Sequence, residues 1–560
     1  MGPYRCTRAR RCRLCGQGGS MRRNLLVFLA TVAGVAFADD TARVAAVFEA
    51  AAGKGGSVTI PPGDYALDGT KPIPLASGMT VSAYGARFLL PERLGDRARL
   101  VLFAGENVRD FRWFGGRFEG HVFDPAKEEN TWEPNANTRA ILLTTSVGGR
   151  TENITFRDVS ADGVAGAVIT VLGAEKPGSE REVVTFARNV TIENCTLERS
   201  GKFMWDYGYL WQVTVWPEDY SEQERAVALK YFRQDLIRGP AAMADGDDRV
   251  LFDNSKKPLP VSKVRPEAVR GHDAVCCFGD ALPTNVVRGR QYFIVESGAA
   301  FIRIAEKPGG EALRFIGTAG PNTRLIHDLS NAWPALYAPT GSGPGKGAFD
   351  LTGCQKVIVR DCRLSALGDT MHIQKSQGVI FSGNHIAGSR MGAFFLAEFC
   401  KDATITGNTI DGSNGSRVMS VEKSCEDVTI VGNTFRNGGR GSWINQPRNL
   451  VLADNVFVNN TTKCERDPRR GRRSFVTGDY ERYAELYFTT YEPNGRYGNV
   501  VVRGNLFTSG PCAEHAITFA PGGDTILVTD NIFKGEVRDI APPEGCENVV
   551  IRGNLGFVNP

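Results

Sequence analysis

A short phrase that recurs at near-constant spacing constrains this chain more than any other feature: two or three β-branched residues, Gly-Asn, then one apolar residue. It runs Val379-Ile380-Phe381-Ser382-Gly383-Asn384-His385-Ile386, returns as Ala403-Thr404-Ile405-Thr406-Gly407-Asn408-Thr409-Ile410, and returns again as Val428-Thr429-Ile430-Val431-Gly432-Asn433-Thr434-Phe435. Further copies centre on Asn455, Asn505, Asn531 and Asn554, so uninterrupted neighbours lie 22 to 26 residues apart. A period in this range, built from short strands without helices, is that of a β-solenoid. One coil cannot bury its apolar face alone, so coils stack and share a continuous core.

Stacking gives the polar letters a role. Parallel strands of neighbouring coils lie about 4.8 Å apart, so equivalent residues form columns. Asn tolerates the left-handed dihedrals of a bend and its amide can bond the next coil, so the Asn column is read as structural. Three residues before the first strand residue stand Cys354, Ser376, Cys400, Cys425 and Pro447, with Cys546 near the end. These are small buried fillers by this reading. Cys400 and Cys425 are near enough to raise the question of a disulfide, although a coil-to-coil gap is slightly long for one.

With these columns in place, the chain resembles the right-handed parallel β-helix proteins of the pectate lyase superfamily. The opening segment fits as well: Asp39-Asp40-Thr41, a short helix ending near Ala52, then Gly55-Gly56-Ser57-Val58-Thr59-Ile60-Pro61-Pro62-Gly63-Asp64-Tyr65. In that superfamily an N-terminal helix caps the open end of the solenoid, which otherwise offers unpaired strand edges. The resemblance covers about residues 39–200 and 346–560. It implies an all-β right-handed parallel β-helix with an N-terminal capping helix and inserted subdomains. It implies little about activity, because one fold hosts lyases, hydrolases, epimerases and phage tailspikes.

Met21-Arg22-Arg23-Asn24, the apolar run Leu25-Leu26-Val27-Phe28-Leu29-Ala30 and Ala36-Phe37-Ala38 read as a secretory signal with cleavage before Asp39 and a true start at Met21. The alternative for the preceding residues is a basic extension with Cys6, Cys12 and Cys15 as a metal site. The apolar run is too short to span a bilayer, so a secreted or periplasmic location and no transmembrane segment are expected. The whole chain carries 66 basic and 62 acidic residues, and the seven Arg residues before position 39 account for the positive excess. Net charge therefore supplies no argument for a nucleic-acid partner, and none is expected. The ten cysteines after position 38 suit an exported protein without proving a bridge.

The sequence divides into a signal region at 1–38, a cap and first coils at 39–200, an insertion at 201–345, and C-terminal coils at 346–560 with a loop insertion at about 460–498. In the first insertion Ser221 and Glu224 form a capping box, and Val227, Leu229, Tyr231, Phe232, Leu236 and Ile237 supply a helix face. Tyr292–Glu296 and Phe301–Ala305 alternate as strands of a small β-module that looks like one recurring in phage tail proteins. The second insertion holds the basic run 466–473 and Tyr480, Tyr483, Tyr487, Phe488, Tyr491 and Tyr497, read either as sugar platforms or as packing onto the solenoid.

Three coils carry candidate chemistry. Leu367-Gly368-Asp369-Thr370-Met371-His372-Ile373-Gln374-Lys375-Ser376 resembles the polygalacturonase family of glycoside hydrolases, whose coil reads Gly-Asp-Asp and ends Ile-Lys-Ser. Asp369 falls on the first Asp of that pair. The second is Thr370, and the acid one coil earlier falls near Gly347, so that family's substrate is not transferred. Aligning coils places Gln374, Glu398, Glu422 and Asn445 in or near one column, flanked by Ile373, Ala397, Val421 and Ile444. Glu398 and Glu422 would then sit about 5 Å apart, the separation of a retaining glycosidase pair, and one of them would supply a general acid. His372 and Lys423 stand nearby as acid/base or anchoring groups, with Gln374, Lys375, Asn445 and Arg448 as substrate contacts.

These residues suggest a secreted carbohydrate-active enzyme that hydrolyses a polysaccharide or oligosaccharide with paired carboxylates and no cofactor. Two alternatives stand beside it. The coil Val421-Glu422-Lys423-Ser424 resembles the base-bearing coil of the alginate lyase and chondroitinase B family, which implies β-elimination on a uronate polymer with Lys423 as base and Ca²⁺ as an aid. The other is a non-catalytic carbohydrate-binding or surface solenoid, and for Glu398 and Glu422 themselves the bland reading is a Ca²⁺ site or a solvent-facing column in which they pair with Lys375, Lys401 or Lys423.

Overall fold

The computed structural model describes residues 27–28, 40–52, 56–91, 99–120, 137–179, 182–201, 233–235, 241–252, 274–328 and 346–557, apart from 280, 289, 299, 308, 367–368, 390–391, 413–416, 440, 463–483, 491–494 and 542. Apart from Val27–Phe28, the signal region before position 39 lies outside these residues, as do most of the capping-box helix and the basic run 466–473.

Alternating burial makes the strands. In Gln377–Ser382 the side chains of Val379 and Phe381 point inward while Ile380 faces out. The same two inward positions recur as Ala403 and Ile405, Val428 and Ile430, Leu450 and Leu452, and Val500 and Val502, joined in register coil after coil. Each complete coil adds one strand to each of three parallel sheets, which hold 14, 12 and 11 strands. In chain order a coil runs from the first sheet (Gln377–Ser382) through the Asn bend to the short second-sheet strand (His385–Ile386) and on to the third sheet (Gly392–Ala397). Parallel pairing with crossovers of this kind is right-handed, and the chain is a right-handed parallel β-helix with one continuous apolar core.

The expected Asn column is a buried hydrogen-bond ladder. The backbone N–H and side-chain Nδ2 of Asn408 both donate to Oδ1 of Asn433, at 3.0 and 2.8 Å. Asn433 donates in the same way to Asn455, Asn455 to Asn505, Asn505 to Asn531, and Asn531 to Asn554. At the other end Asn384 donates to Asn408 and accepts from the Cys362 N–H. The thiol column forms a parallel series in which Cys354 N–H donates to Ser376 Oγ and Ser376 N–H to Cys400 Sγ. Cys400 and Cys425 are buried free thiols, not a disulfide.

The helix Thr41–Ala51 buries Val44, Val47, Phe48 and Ala51, and Phe48 packs against Phe103 and Trp113 of the first coils. The coils continue across the first insertion: Gly166–Leu172 pairs directly with Lys346–Thr352, and Ala187–Glu193 with Cys354–Arg360. Between them stands a separate seven-stranded antiparallel sheet with its own core around Val250, Tyr292, Ile294 and Ile304. Two sequence expectations change here. Arg233–Asp235, inside the stretch read as a helix, is a strand paired with Arg324–Asp328, because this segment forms the edge of the inserted sheet. Ala484–Thr489, inside the supposed loop insertion, is a third-sheet strand between Ser442–Asn445 and His515–Phe519, because Leu486 and Phe488 continue the inward columns. Among the described residues no helix is long and apolar enough to cross a membrane.

Replacing Asn433 by Ala removes the acceptor of two buried donors on Asn408, at a cost of about 2–4 kcal/mol. Asn554→Ala, at the half-buried end of the ladder, is expected to cost under about 1 kcal/mol. Urea unfolding midpoints check this, and equal losses at the two sites contradict it.

Candidate functional site

The third sheet holds an unusual concentration of buried charge on its outer face. Its strands alternate as the first sheet does, so an outward residue sits between inward apolar ones: Asp350 between Phe349 and Leu351, His372 between Met371 and Ile373, Ser420 between Met419 and Val421. Register pairs Asp350 with His372, Phe395 with Ser420, and Ser420 with Trp443 and then Tyr487. His372 stacks on Phe395 with ring centres 4.7 Å apart.

Around this column Arg139, Lys346, Asp350, Asp369 and His372 are all buried. Lys346 Nζ donates to Asp350 Oδ1 at 3.2 Å and to Gln374 Oε1 at 3.1 Å. Arg139 approaches Asp350 Oδ2 at 3.6 Å, and the Thr352 hydroxyl adds a bond to Oδ1. Burial raises the Asp350 carboxyl, but the Lys346 and Arg139 cations override it and hold Asp350 below the ordinary carboxylate range. Asp369 is treated oppositely. Burial pushes it up to about 8, against the weaker opposing pull of Lys346 and Arg417. Its Oδ2 lies 3.0 Å from His372 Nε2, while its Oδ1 is buried with no hydrogen-bond partner among the described residues. Arg417 lies over the Trp443 ring at 4.4 Å and donates to the Tyr487 hydroxyl. Two carboxyls in one cluster are thus displaced in opposite directions, which is how a site separates a proton donor from an anion.

The carboxylate pair read from the sequence is arranged differently. Register aligns Gln374 with Ala397 and Ala397 with Glu422, while Leu396 takes the flanking place given to Ala397. Glu398 lies one residue further on, at the bend, because Glu398 and Phe399 both adopt left-handed conformations there. Lys375, Lys423 and Gln446 occupy the same left-handed position in neighbouring coils. Glu398 is therefore the middle of a charge ladder: it bonds Lys423 Nζ and lies 3.5 Å from Lys375 Nζ, which in turn pairs with Glu175 at 2.6 Å. Burial raises the Glu398 carboxyl, and Lys423 with Lys375 more than offsets this, so it stays below the ordinary range. A carboxyl held low is no proton reservoir.

Glu422 remains half-buried on the third-sheet face, and the Asn445 side-chain oxygen accepts the Lys423 N–H, leaving Asn445 Nδ2 unpartnered among the described residues. Arg448 lies past the corner, exposed at the start of a first-sheet strand opposite Glu426 and Gly498, so the structure does not bring it to this face. Of the aromatic group, Phe488 and Tyr497 are core residues and Tyr487 stacks outward on Trp443, while Tyr480, Tyr483 and Tyr491 lie outside the described residues.

Sequence reasoning brought together Asp369, His372 and Gln374 and missed Arg139, Lys346, Asp350, Arg417 and Trp443. A signal for Asp350 was present: an acid between Phe349 and Leu351 breaks an otherwise apolar strand at an outward position of period two. Among the described residues no group of three or more His, Cys, Asp or Glu side chains is placed to hold a metal ion.

A family model described as "right handed beta helix region" matches residues 340–465, the coils that carry Asp350, Asp369 and His372. With its three parallel sheets, the chain is a protein of the right-handed parallel β-helix class. No curated protein matches it by sequence. Among solved structures it is similar to the mannuronan C-5 epimerase AlgE4 A-module of Azotobacter vinelandii, at 9% identity and a TM-score of 0.46, covering 93% of this chain and 96% of that one. It is also similar to the endo-xylogalacturonan hydrolase of Aspergillus tubingensis, at 11% identity and a TM-score of 0.39, covering 95% and 97%. A third likeness is to the surface adhesin PfbA of Streptococcus pneumoniae, at 12% identity and a TM-score of 0.39, covering 92% and 87%. These are likenesses of fold and carry no chemistry to this chain.

The raised Asp369 carboxyl has a consequence for stability. Its folded value lies above the ordinary value of about 4, so its contribution is complete below that pH and is lost as pH rises through its folded value of about 8. Asp369→Asn, which cannot ionise, is expected to be more stable than wild type at pH 8, by on the order of 5 kcal/mol at most, and so to unfold at a higher temperature. The difference should close toward pH 4. Thermal unfolding at both pH values checks it, and a variant less stable at pH 8 contradicts it.

Proposed function

We propose that this protein is an exported carbohydrate-active β-helix enzyme that hydrolyses glycosidic bonds on the outer face of its third sheet. The observation that carries this reading is the opposed pair in one cluster: Asp369, buried with Oδ1 unpartnered among the described residues and its carboxyl pushed up to about 8, beside Asp350, bonded by Lys346, approached by Arg139 and held low. Asp369 gives its proton to the glycosidic oxygen as the anomeric carbon–oxygen bond breaks. The Asp350 carboxylate faces the positive charge that develops at the anomeric carbon. Water supplies the new hydroxyl, and its released proton restores the acid. Lys346 and Arg139 hold Asp350 as the anion, Arg417 lies toward Asp369, and Gln374 and Asn445 offer polar contacts to a saccharide. The roles first given to Glu398 and Lys423 pass to the scaffold, since each is engaged by the other.

Elimination on a uronate polymer is the second reading, favoured by the three cations Arg139, Lys346 and Arg417 around the two acids. Incubation with plant and algal polysaccharides, followed by reducing ends and ultraviolet absorbance, separates the cases. Hydrolysis gives new reducing ends without absorbance, and Asp369→Asn and Asp350→Asn are each expected to lower turnover by about 10²–10⁴-fold. Glu398→Gln and Glu422→Gln are expected to stay within about tenfold of wild type. Absorbing products award the reading to elimination, and an uncut panel with retained polymer binding makes this a binding solenoid.

A further inference from the structure

Lys346, Gln374, His372 and Asp369 form an unbroken hydrogen-bond chain whose chemistry fixes the position of every proton in it. The Lys346 ammonium has donors and no acceptor. It lies 3.1 Å from one end of the Gln374 amide, so that end is the carbonyl oxygen; the Thr352 hydroxyl approaches the same atom at 3.4 Å. The other end is therefore the NH₂ group, and it lies 3.2 Å from His372 Nδ1. An amide NH₂ only donates, so Nδ1 must be unprotonated. The imidazole is then neutral with its single hydrogen on Nε2, and Nε2–H donates to Asp369 Oδ2 at 3.0 Å. With Oδ2 occupied as an acceptor, the proton of an un-ionised Asp369 falls to Oδ1, the oxygen without a partner among the described residues.

We propose that Gln374 is a positioning residue that holds His372 in the Nε2–H tautomer and so places the acid proton of Asp369 on Oδ1. The part concerning Asp369 rests on its role as proton donor proposed above; the part concerning His372 does not. Gly392 belongs to the same arrangement. A Cβ there would stand 2.8 Å from Asp369 Oδ1 and 2.0 Å from the Phe395 ring, so only glycine leaves both the proton-bearing oxygen and the ring under His372 in place.

The charged groups around the pair come from several strands. Lys346, Asp350 and Arg139 lie on the side of the earlier coils and Arg417 on the side of the later ones, and His372 and Asp369 share one strand. Asp350 stands in register opposite His372 and would favour an imidazolium. The Gln374 amide opposes this by presenting a donor to Nδ1. A carboxylate at position 374 would present an acceptor instead.

Nitrogen-15 NMR of histidine-labelled full chain tests the proposal, with the His372 signals identified among the six histidines by their loss in His372→Asn. Wild type should show a neutral ring protonated at Nε2 at pH 7. Gln374→Glu should show a ring protonated on both nitrogens, and Gln374→Met, which keeps length and removes both amide functions, should show mixed tautomers. An imidazolium in wild type, or an Nε2–H ring unchanged in both variants, overturns the proposal. On a cleaved polysaccharide, Gln374→Glu should shift the alkaline fall of kcat at least one pH unit downward. An unmoved profile overturns the Asp369 part. If no polysaccharide is cut, the hydrolase reading fails while the tautomer result stands by itself.

Discussion

The shared Asn oxygen is the interaction on which the rest of this structure depends. Each inner ladder amide, from Asn408 to Asn531, accepts two hydrogen bonds from the coil before it and donates to the coil after it, in a buried bend. A slip of one residue would leave those donors bare and turn the inward Val, Ile and Phe columns outward. The ladder and the apolar columns therefore enforce the same register, one by polar satisfaction and the other by burial. Variation in coil length is absorbed away from the ladder, in the bends and insertions.

This rigid register separates two kinds of charge. At the corner after the third sheet, Lys375, Glu398 and Lys423 alternate in sign, and each cation meets the carboxylate beside it. That arrangement resembles a surface ion-pair series drawn partly into the protein. On the flat face next to it, Asp350 is surrounded by cations while Asp369 keeps an oxygen without a partner among the described residues. Among the described residues this second group leaves the Asp369 Oδ1 without a partner, and a buried polar atom left so is costly and calls for an explanation.

Much of the fold was legible because it repeats. Asn384, Asn408, Asn433 and Asn455 could be aligned by inspection, and one consistent spacing implied parallel stacking. The site was less legible, because it depends on residues that do not repeat. Glu398 was misplaced by one position: nothing in Ala397-Glu398-Phe399 announces a bend with two left-handed residues. Asp350 escaped notice because it lies just after the insertion, where the repeating phrase gives no register. Ala484–Thr489 was hidden by neighbours rich in Arg and Tyr, although its own Leu486 and Phe488 keep the inward pattern.

The direct pairing of Gly166–Leu172 with Lys346–Thr352 has a wider meaning. The chain leaves the solenoid after Thr196–Ser200 and rejoins it at Lys346–Thr352, and a Cβ on Gly347 would stand 3.1 Å from the Ser200 hydroxyl, so exit and return are neighbours. A spliced segment with such close ends disturbs neither rung, and its length matters little because loop-closure cost grows only logarithmically. The helix can thus acquire, exchange or discard whole side modules between coils while its backbone lattice stays unchanged. Novelty in such a molecule arrives sideways, through what is hung on the rungs.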